Sequence, residues 1–112
     1  KTVIAISGEI DIICDGSRTC ILRGGCATMA RITGSGCMLT ALMGAFCGSW
    51  DDSFAAACAA TAAMGVSGET AERKRLQNGT GNATFRSDLI DAVFNLTGEQ
   101  LTQGANYEIH ER

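Results

Sequence analysis

The feature that most constrains this chain is a break in pattern. An approach segment, Met29 to Thr33, reads as a short strand that stops at Gly34-Ser35-Gly36 and continues without a linker into Cys37 to Phe46, which is apolar nearly all round. A strand that enters a glycine pair and turns directly into a helix brings backbone amides to one point of the surface. A helix with no polar face is expected to be buried on most of its sides. Upstream, Lys1 leads into Thr2-Val3-Ile4-Ala5-Ile6, a continuous apolar run of the kind found in strands buried on both faces of a parallel sheet. Such a strand needs neighbours and the chain offers few, so residues ahead of Lys1 are expected to supply them and the fold is read as incomplete as given.

Between these units Ser7-Gly8-Glu9 interrupts the first run, and Ile10 to Cys14 is a second extended segment ending at Asp15-Gly16, a hairpin signal from which Arg18 to Leu22 returns antiparallel. Gly24-Gly25 closes this unit. After Gly48 to Asp52 turns the chain, Asp51 or Asp52 caps an Ala-rich helix from Ser53 to about Lys74. Its small residues allow close helix approach, and Glu69, Glu72, Arg73 and Lys74 mark its emergence into solvent. Asn78-Gly79-Thr80-Gly81 makes the next turn. Phe85, Leu89, Ile90, Val93, Phe94 and Leu96 then repeat at helical spacing as a core face, with Gly98 expected to stop the helix. Tyr107 and Ile109 alternate with polar residues as an edge strand. No repeat or linker divides the chain, so 1–112 is read as part of one domain.

Composition excludes several function classes. With nine basic and twelve acidic side chains, a net charge of −3 and no basic cluster beyond Arg73-Lys74-Arg75, nucleic acid is not an expected partner. Apolar stretches are interrupted before the roughly 18 residues of a membrane span, so no membrane partner is expected. The six cysteines lie in apolar runs, form no CxxC pair and are accompanied by one histidine, which argues against both a disulfide framework and a zinc site. No residue is assigned as a metal ligand, and a reducing, cytoplasmic setting is expected.

The chemistry is expected at the glycine pair. Glycines let the backbone approach a ligand closely, and the amides of Ser35, Gly36 and Cys37 point outward at the positive end of the helix dipole. Ser35 and Gly36 thus form a candidate anion hole for a phosphate or a transferring phosphoryl group. A plain tight turn accounts for Gly-x-Gly before a helix equally well. The segment is neither GxxxxGK[ST] nor GxGxxG, the third glycine being replaced by Leu39. Cys37 adds weight, because a cysteine in the first turn of a helix is favoured as thiolate. Cys47 and Cys58 are expected to be buried structural cysteines.

Ile32-Thr33-Gly34-Ser35-Gly36-Cys37-Met38-Leu39-Thr40 resembles the signature of hydroxyethylthiazole kinases, members of the ribokinase-like superfamily, and Ala5-Ile6-Ser7-Gly8-Glu9-Ile10-Asp11 resembles their upstream motif. Most of the superfamily carries Asp at the position of Cys37. The resemblance implies a three-layer α/β/α fold, of which 1–112 is the C-terminal part of a single kinase domain. It implies ATP with Mg²⁺, a thiazole alcohol as substrate in thiamine biosynthesis or salvage, and a homotrimer when complete. It also implies that Ser7 binds ATP, Gly34 contacts the thiazole and Cys37 occupies the catalytic-base position. Ser7 stands where Thr is usual and Thr80 where Pro is common. Another ribokinase-like kinase or hydrate repair enzyme, or an inactive nucleotide-binding fragment, are the alternatives, and the isolated segment is expected to be inactive.

Overall fold

The structure, a computed structural model, describes residues 2–112, so Lys1 at the head of the first apolar run lies outside the described residues. Strand β1 (Ile4–Ile6) is followed by β2 (Ile10–Cys14) and β3 (Arg18–Arg23), and after the helices the chain returns as β4 (Tyr107–Glu111). The four form one sheet in the order β1-β2-β3-β4 with every neighbouring pair antiparallel. The parallel setting expected for the first run is therefore corrected. Only Ser7, Gly8 and Glu9 separate β1 from β2, and so short a connection can only reverse the chain, whereas a parallel crossover needs a dozen residues or more. Its expected burial on both faces is corrected too, since Ile4 and Ile6 are 58% and 61% exposed.

Register sorts the sheet into two faces. Ala5 opposite Ile13, Ile13 opposite Cys20 and Asp11 opposite Leu22 share the face that carries the helices, while Ile6, Ile12 and Ile21 lie on the other. Ile13, Cys20 and Leu22 pack with Phe54 and Ala57 into one buried cluster. The second face carries no helix among the described residues, and Ile4, Ile6, Ile10 and Ile12 are exposed on it. The chain therefore presents a sheet and one layer of helices, two layers of an α/β architecture.

The helical layer is organised around α2 (Ser53–Asn78), which packs against α1 (Ser35–Ser49), α3 (Asn82–Asn95), α4 (Gly98–Gly104) and strands β2 and β3. Of the two candidate caps, Asp52 is the one used: its Oδ1 accepts the amides of Phe54 at 3.1 Å and Ala55 at 3.3 Å. The same carboxylate takes Arg18 Nη1 at 3.0 Å and Nη2 at 3.1 Å, and Arg18 also reaches Asp15 in the hairpin turn at 2.8 Å. Its guanidinium lies 4.3 Å from the centre of the Phe54 ring. Arg18 thus ties the β2–β3 hairpin to the start of α2. At the far end Gly79, in the left-handed region at φ +64°, closes the helix by donating to the Arg75 carbonyl at 2.9 Å.

Four further expectations are corrected. The segment read as an approach strand is a 3-10 helix over Ala27–Arg31, held by tertiary bonds. Thr28 Oγ1 donates to Glu72 Oε1 at 3.0 Å, and Arg75 grips the same carboxylate at 2.7 and 2.9 Å. Helix α1 contains no fully buried residue despite its apolar composition, because α2 is its main partner and its remaining sides are uncovered. In α3, Phe85 and Leu89 are the buried stripe, whereas Ile90 is exposed and Phe94 is 86% exposed. Gly98 does not stop α3, which ends at Asn95; it opens α4, an element not anticipated. There Thr97 and Gln100 form a reciprocal capping box, a signal present in the letters Thr97-Gly98-Glu99-Gln100. Among the described residues no helix is long and apolar enough to cross a membrane.

All six cysteines are free thiols, with Cys37 and Cys47 exposed, so the burial expected for Cys47 is not observed. Burial, with the neighbouring Cys20 thiol adding to it, pushes Cys58 up to about 12, and burial raises Cys20 as well.

Asp52→Ala removes a cap and an ion pair together and should lower Tm by about 5 °C, whereas Asp52→Asn keeps a capping oxygen and should lose less; thermal unfolding by circular dichroism checks the order. The hydrogen bonds from Arg75 and Thr28 hold the Glu72 carboxyl down to about 2, against an ordinary 4.5. Its contribution is fully present above about pH 4.5 and is lost as pH falls toward 2, so Tm should drop through that window and drop less in Glu72→Gln. Thiol titration of the chain should count six thiols after denaturation without reductant, and in the native state Cys37 and Cys47 should react first and Cys20 and Cys58 last.

Candidate functional site

A cleft of about 880 Å³ opens where four pieces of chain meet. Its walls are the β1–β2 connection with Ser7, Gly8 and Glu9, the Gly24–Ala27 connection leading into the 3-10 helix, and the start of α1 with Ser35, Gly36 and Leu39. Thr61, Met64 and Gly65 of α2 form the remaining wall. A smaller cleft between β1 and α1 shares Ser7, Asp11, Gly36, Leu39 and Thr61 with it.

The glycines explain how backbone can line this space. Gly25 has φ +78°, and a Cβ there would sit 3.1 Å from Met29 Sδ. On α2 a Cβ at Gly65 would approach the Gly25 amide nitrogen at 3.4 Å, and one at Gly68 would meet Met29 Sδ at 2.5 Å. The absent side chains on α2 therefore let the Gly24-Gly25 connection and Met29 settle directly on the helix. Cys26, on the same connection, half-buried, has its thiol pushed up by that burial.

Gly34 is the N-cap of α1, at φ +91°, a conformation that favours glycine, and it provides no side-chain cap. The first bond of the helix runs from the Met38 amide to the Gly34 carbonyl at 2.9 Å. The amides of Ser35, Gly36 and Cys37 precede it and have no partner within the helix, at the positive end of its dipole. The turn is held from two sides: Ser35 Oγ donates to the Met29 carbonyl at 3.1 Å, and Arg86 Nε of α3 donates to the Thr33 carbonyl at 3.3 Å.

Of the residues expected at the site, Ser7, Ser35 and Gly36 line one cleft together. Ser7 lies just beyond the carboxyl end of β1, in the connection to β2 that lines the cleft. Gly34 and Cys37 do not line either cleft; Cys37 is exposed in the first turn of α1. Sequence reasoning missed Asp11, Gly24, Gly25, Thr61 and Gly65 as cleft residues. The alternation in β2 offered a signal for Asp11, a carboxylate in the register of the buried Ile13.

Comparison with known proteins gives this arrangement a family. The chain is 45% identical over 107 residues to the hydroxyethylthiazole kinase of Clostridium acetobutylicum, covering 95% of this chain and 39% of that protein. It is 48% identical over 97 residues to that of Clostridium beijerinckii, covering 87% of this chain and 34% of that protein. The solved structure of the hydroxyethylthiazole kinase protein from Pyrococcus horikoshii OT3 superposes with a TM-score of 0.84 at 27% identity, over 98% of this chain and 41% of that one. The chain spans under two fifths of the length of the two curated relatives named. The model of the hydroxyethylthiazole kinase family matches residues 1–99, and the chain belongs to that family.

Proposed function

We propose that the protein carrying this chain transfers the γ-phosphoryl group of ATP to the hydroxyl of 4-methyl-5-(2-hydroxyethyl)thiazole, a step of thiamine biosynthesis or salvage. The observation that carries the reading is the unpaired Ser35, Gly36 and Cys37 amides at the start of α1, two of whose residues share a cleft with Ser7. Phosphoryl transfer asks a protein chiefly to position its reactants and stabilise charge on the transferring group. Backbone amides fixed by helix geometry do this without reorganising during the reaction.

In this reading Ser7 holds the nucleotide through its hydroxyl, and the amides of Ser35 to Cys37 receive the transferring group. Gly34, which has no side chain to exclude a ring, contacts the thiazole. Cys37 orients or deprotonates the alcohol. Its exposure leaves the thiol free to meet a substrate bound outside the cleft that this chain lines by itself. Mg²⁺ would arrive on the ATP phosphates and neutralise their charge; among the described residues no group of three or more His, Cys, Asp or Glu side chains is arranged to hold it independently. A homotrimer is the assembly we propose, supported by the uncovered apolar sides of α1.

In the complete protein, Cys37→Ala should lower kcat by about 10²–10⁴-fold and leave the KM for ATP within about threefold, since general-base or orienting help acts in the transition state. Cys37→Asp should retain activity, because a carboxylate is ionised at neutral pH. Cys47→Ala is the control and, the residue being exposed, should change neither kcat nor Tm appreciably. Steady-state kinetics in which the two alanine variants behaved alike would return Cys37 to the ordinary surface cysteines.

A further inference from the structure

We propose that Asp11 is a positioning residue for the nucleotide side of this site, acting through the Ser7-Gly8-Glu9 connection. The proposal rests on the kinase reading above and concerns a residue to which that reading gives no role. Asp11 stands opposite Leu22 in the register of β2 and β3 and shares the helix-bearing face with Ile13 and Cys20, both buried. Asp11 itself is half-buried, so its carboxylate reaches the end of the sheet where the chain turns from β1 into β2. Oδ1 accepts the Gly8 amide at 3.0 Å, an exposed bond that ties the start of β2 back to the turn from β1. That turn carries Ser7, and Asp11 lines both the principal cleft and the smaller one alongside Ser7 and Gly36.

Two roles are open to a carboxylate at such a place, and electrostatics separates them. As a direct phosphate contact Asp11 would repel the ligand that the α1 amides attract. As an acceptor from Gly8 it fixes the backbone on which the Ser7 hydroxyl is mounted, and a charge-assisted bond to a backbone amide is stronger than the neutral equivalent. The geometry points to the second role. The charge strengthens the bond, but an uncharged acceptor oxygen in the same place preserves it in part, and the influence of Asp11 on ATP passes through Ser7.

The test is equilibrium binding of a non-hydrolysable ATP analogue, with KM measurements for ATP and for the thiazole alcohol, on the complete protein and its Asp11→Ala, Asp11→Asn, Ser7→Ala and Asp11→Ala/Ser7→Ala variants. Asp11→Ala should weaken analogue binding and raise the KM for ATP by about tenfold, the scale of one lost charge-assisted hydrogen bond, with the KM for the alcohol within about twofold. Asp11→Asn keeps an acceptor oxygen and should stay within about threefold of the unsubstituted protein. In the Ser7→Ala background, Asp11→Ala should add less than about twofold, because residues acting through one another are not additive. The positioning role is overturned, with the kinase reading intact, if Ser7→Ala weakens ATP binding while Asp11→Ala does not, or if the tenfold effect persists undiminished in the double variant. Equal losses in Asp11→Asn and Asp11→Ala would overturn it in favour of a role for the charge. Unchanged analogue binding in Ser7→Ala would remove Ser7 from the nucleotide site and the positioning role with it.

Discussion

The bidentate grip of Arg18 on Asp52 is the joint from which the rest of the chain is positioned. It acts on the first turn of α2, and α2 is the element against which α1, α3, α4 and two strands are packed. The joint combines three kinds of interaction. Asp52 satisfies two amides that a helix start leaves without partners, Arg18 supplies the opposite charge while remaining bound to Asp15 in the hairpin turn, and its guanidinium covers the Phe54 ring. The carboxyl of Asp15 is held well below the usual range, first by the Arg18 and Ser17 amides and then by the Arg18 side chain. Asp52 is lowered chiefly by Arg18. The hairpin turn and the helix start therefore form one electrostatic unit, and the strand register is carried directly into the placement of α2.

From that fixed helix the cleft follows by close approach. Gly65 and Gly68 remove side chains from the α2 surface where the Gly24-Gly25 connection and Met29 settle. Glu72, one turn further on, binds Thr28 and so fixes the 3-10 helix. The Met29 carbonyl of that helix then receives Ser35 Oγ and steadies the turn whose amides face outward. The path from Arg18 to the α1 amides runs through contacts of α2 as far as the 3-10 helix, and its last link is the Ser35–Met29 bond. The site is assembled from segments distant in sequence, and no single motif contains it.

This explains which parts could be read from the letters. The hairpin at Asp15-Gly16, the Asp cap of α2, the Gly79 terminus and the glycine entry to α1 are local devices, each specified by residues within a few positions of one another. They were legible because turn and cap chemistry is local. The 3-10 helix was not, since Thr28 and Met29 take their conformation from Glu72 and Gly68, more than thirty residues away. The same holds for the cleft: Ser7, Ser35 and Gly36 could be named from motif and helix geometry, but Thr61 and Gly65 lie on a helix whose Ala-rich sequence does not show which side meets the cavity. The capping box at Thr97 is the exception, a local signal that was present and outweighed by the reading of Gly98 as a stop.

The two largest departures, β1 and α1, share one physical cause. An apolar sequence states that burial is favourable; it does not supply the surface against which burial occurs. Ile4 and Ile6 pair through the backbone with β2, yet their side chains point to the face of the sheet that carries no helix. In α1 the absence of a polar side has the same consequence, with α2 covering one flank and the others left open. The exposed isoleucines of β1 and β2 share that face of the sheet, Ile6 standing opposite Ile12. Reading such runs as buried identifies the preference of the residues correctly. Whether the preference is met depends on a partner, and among the described residues the helices serve only one face of this sheet.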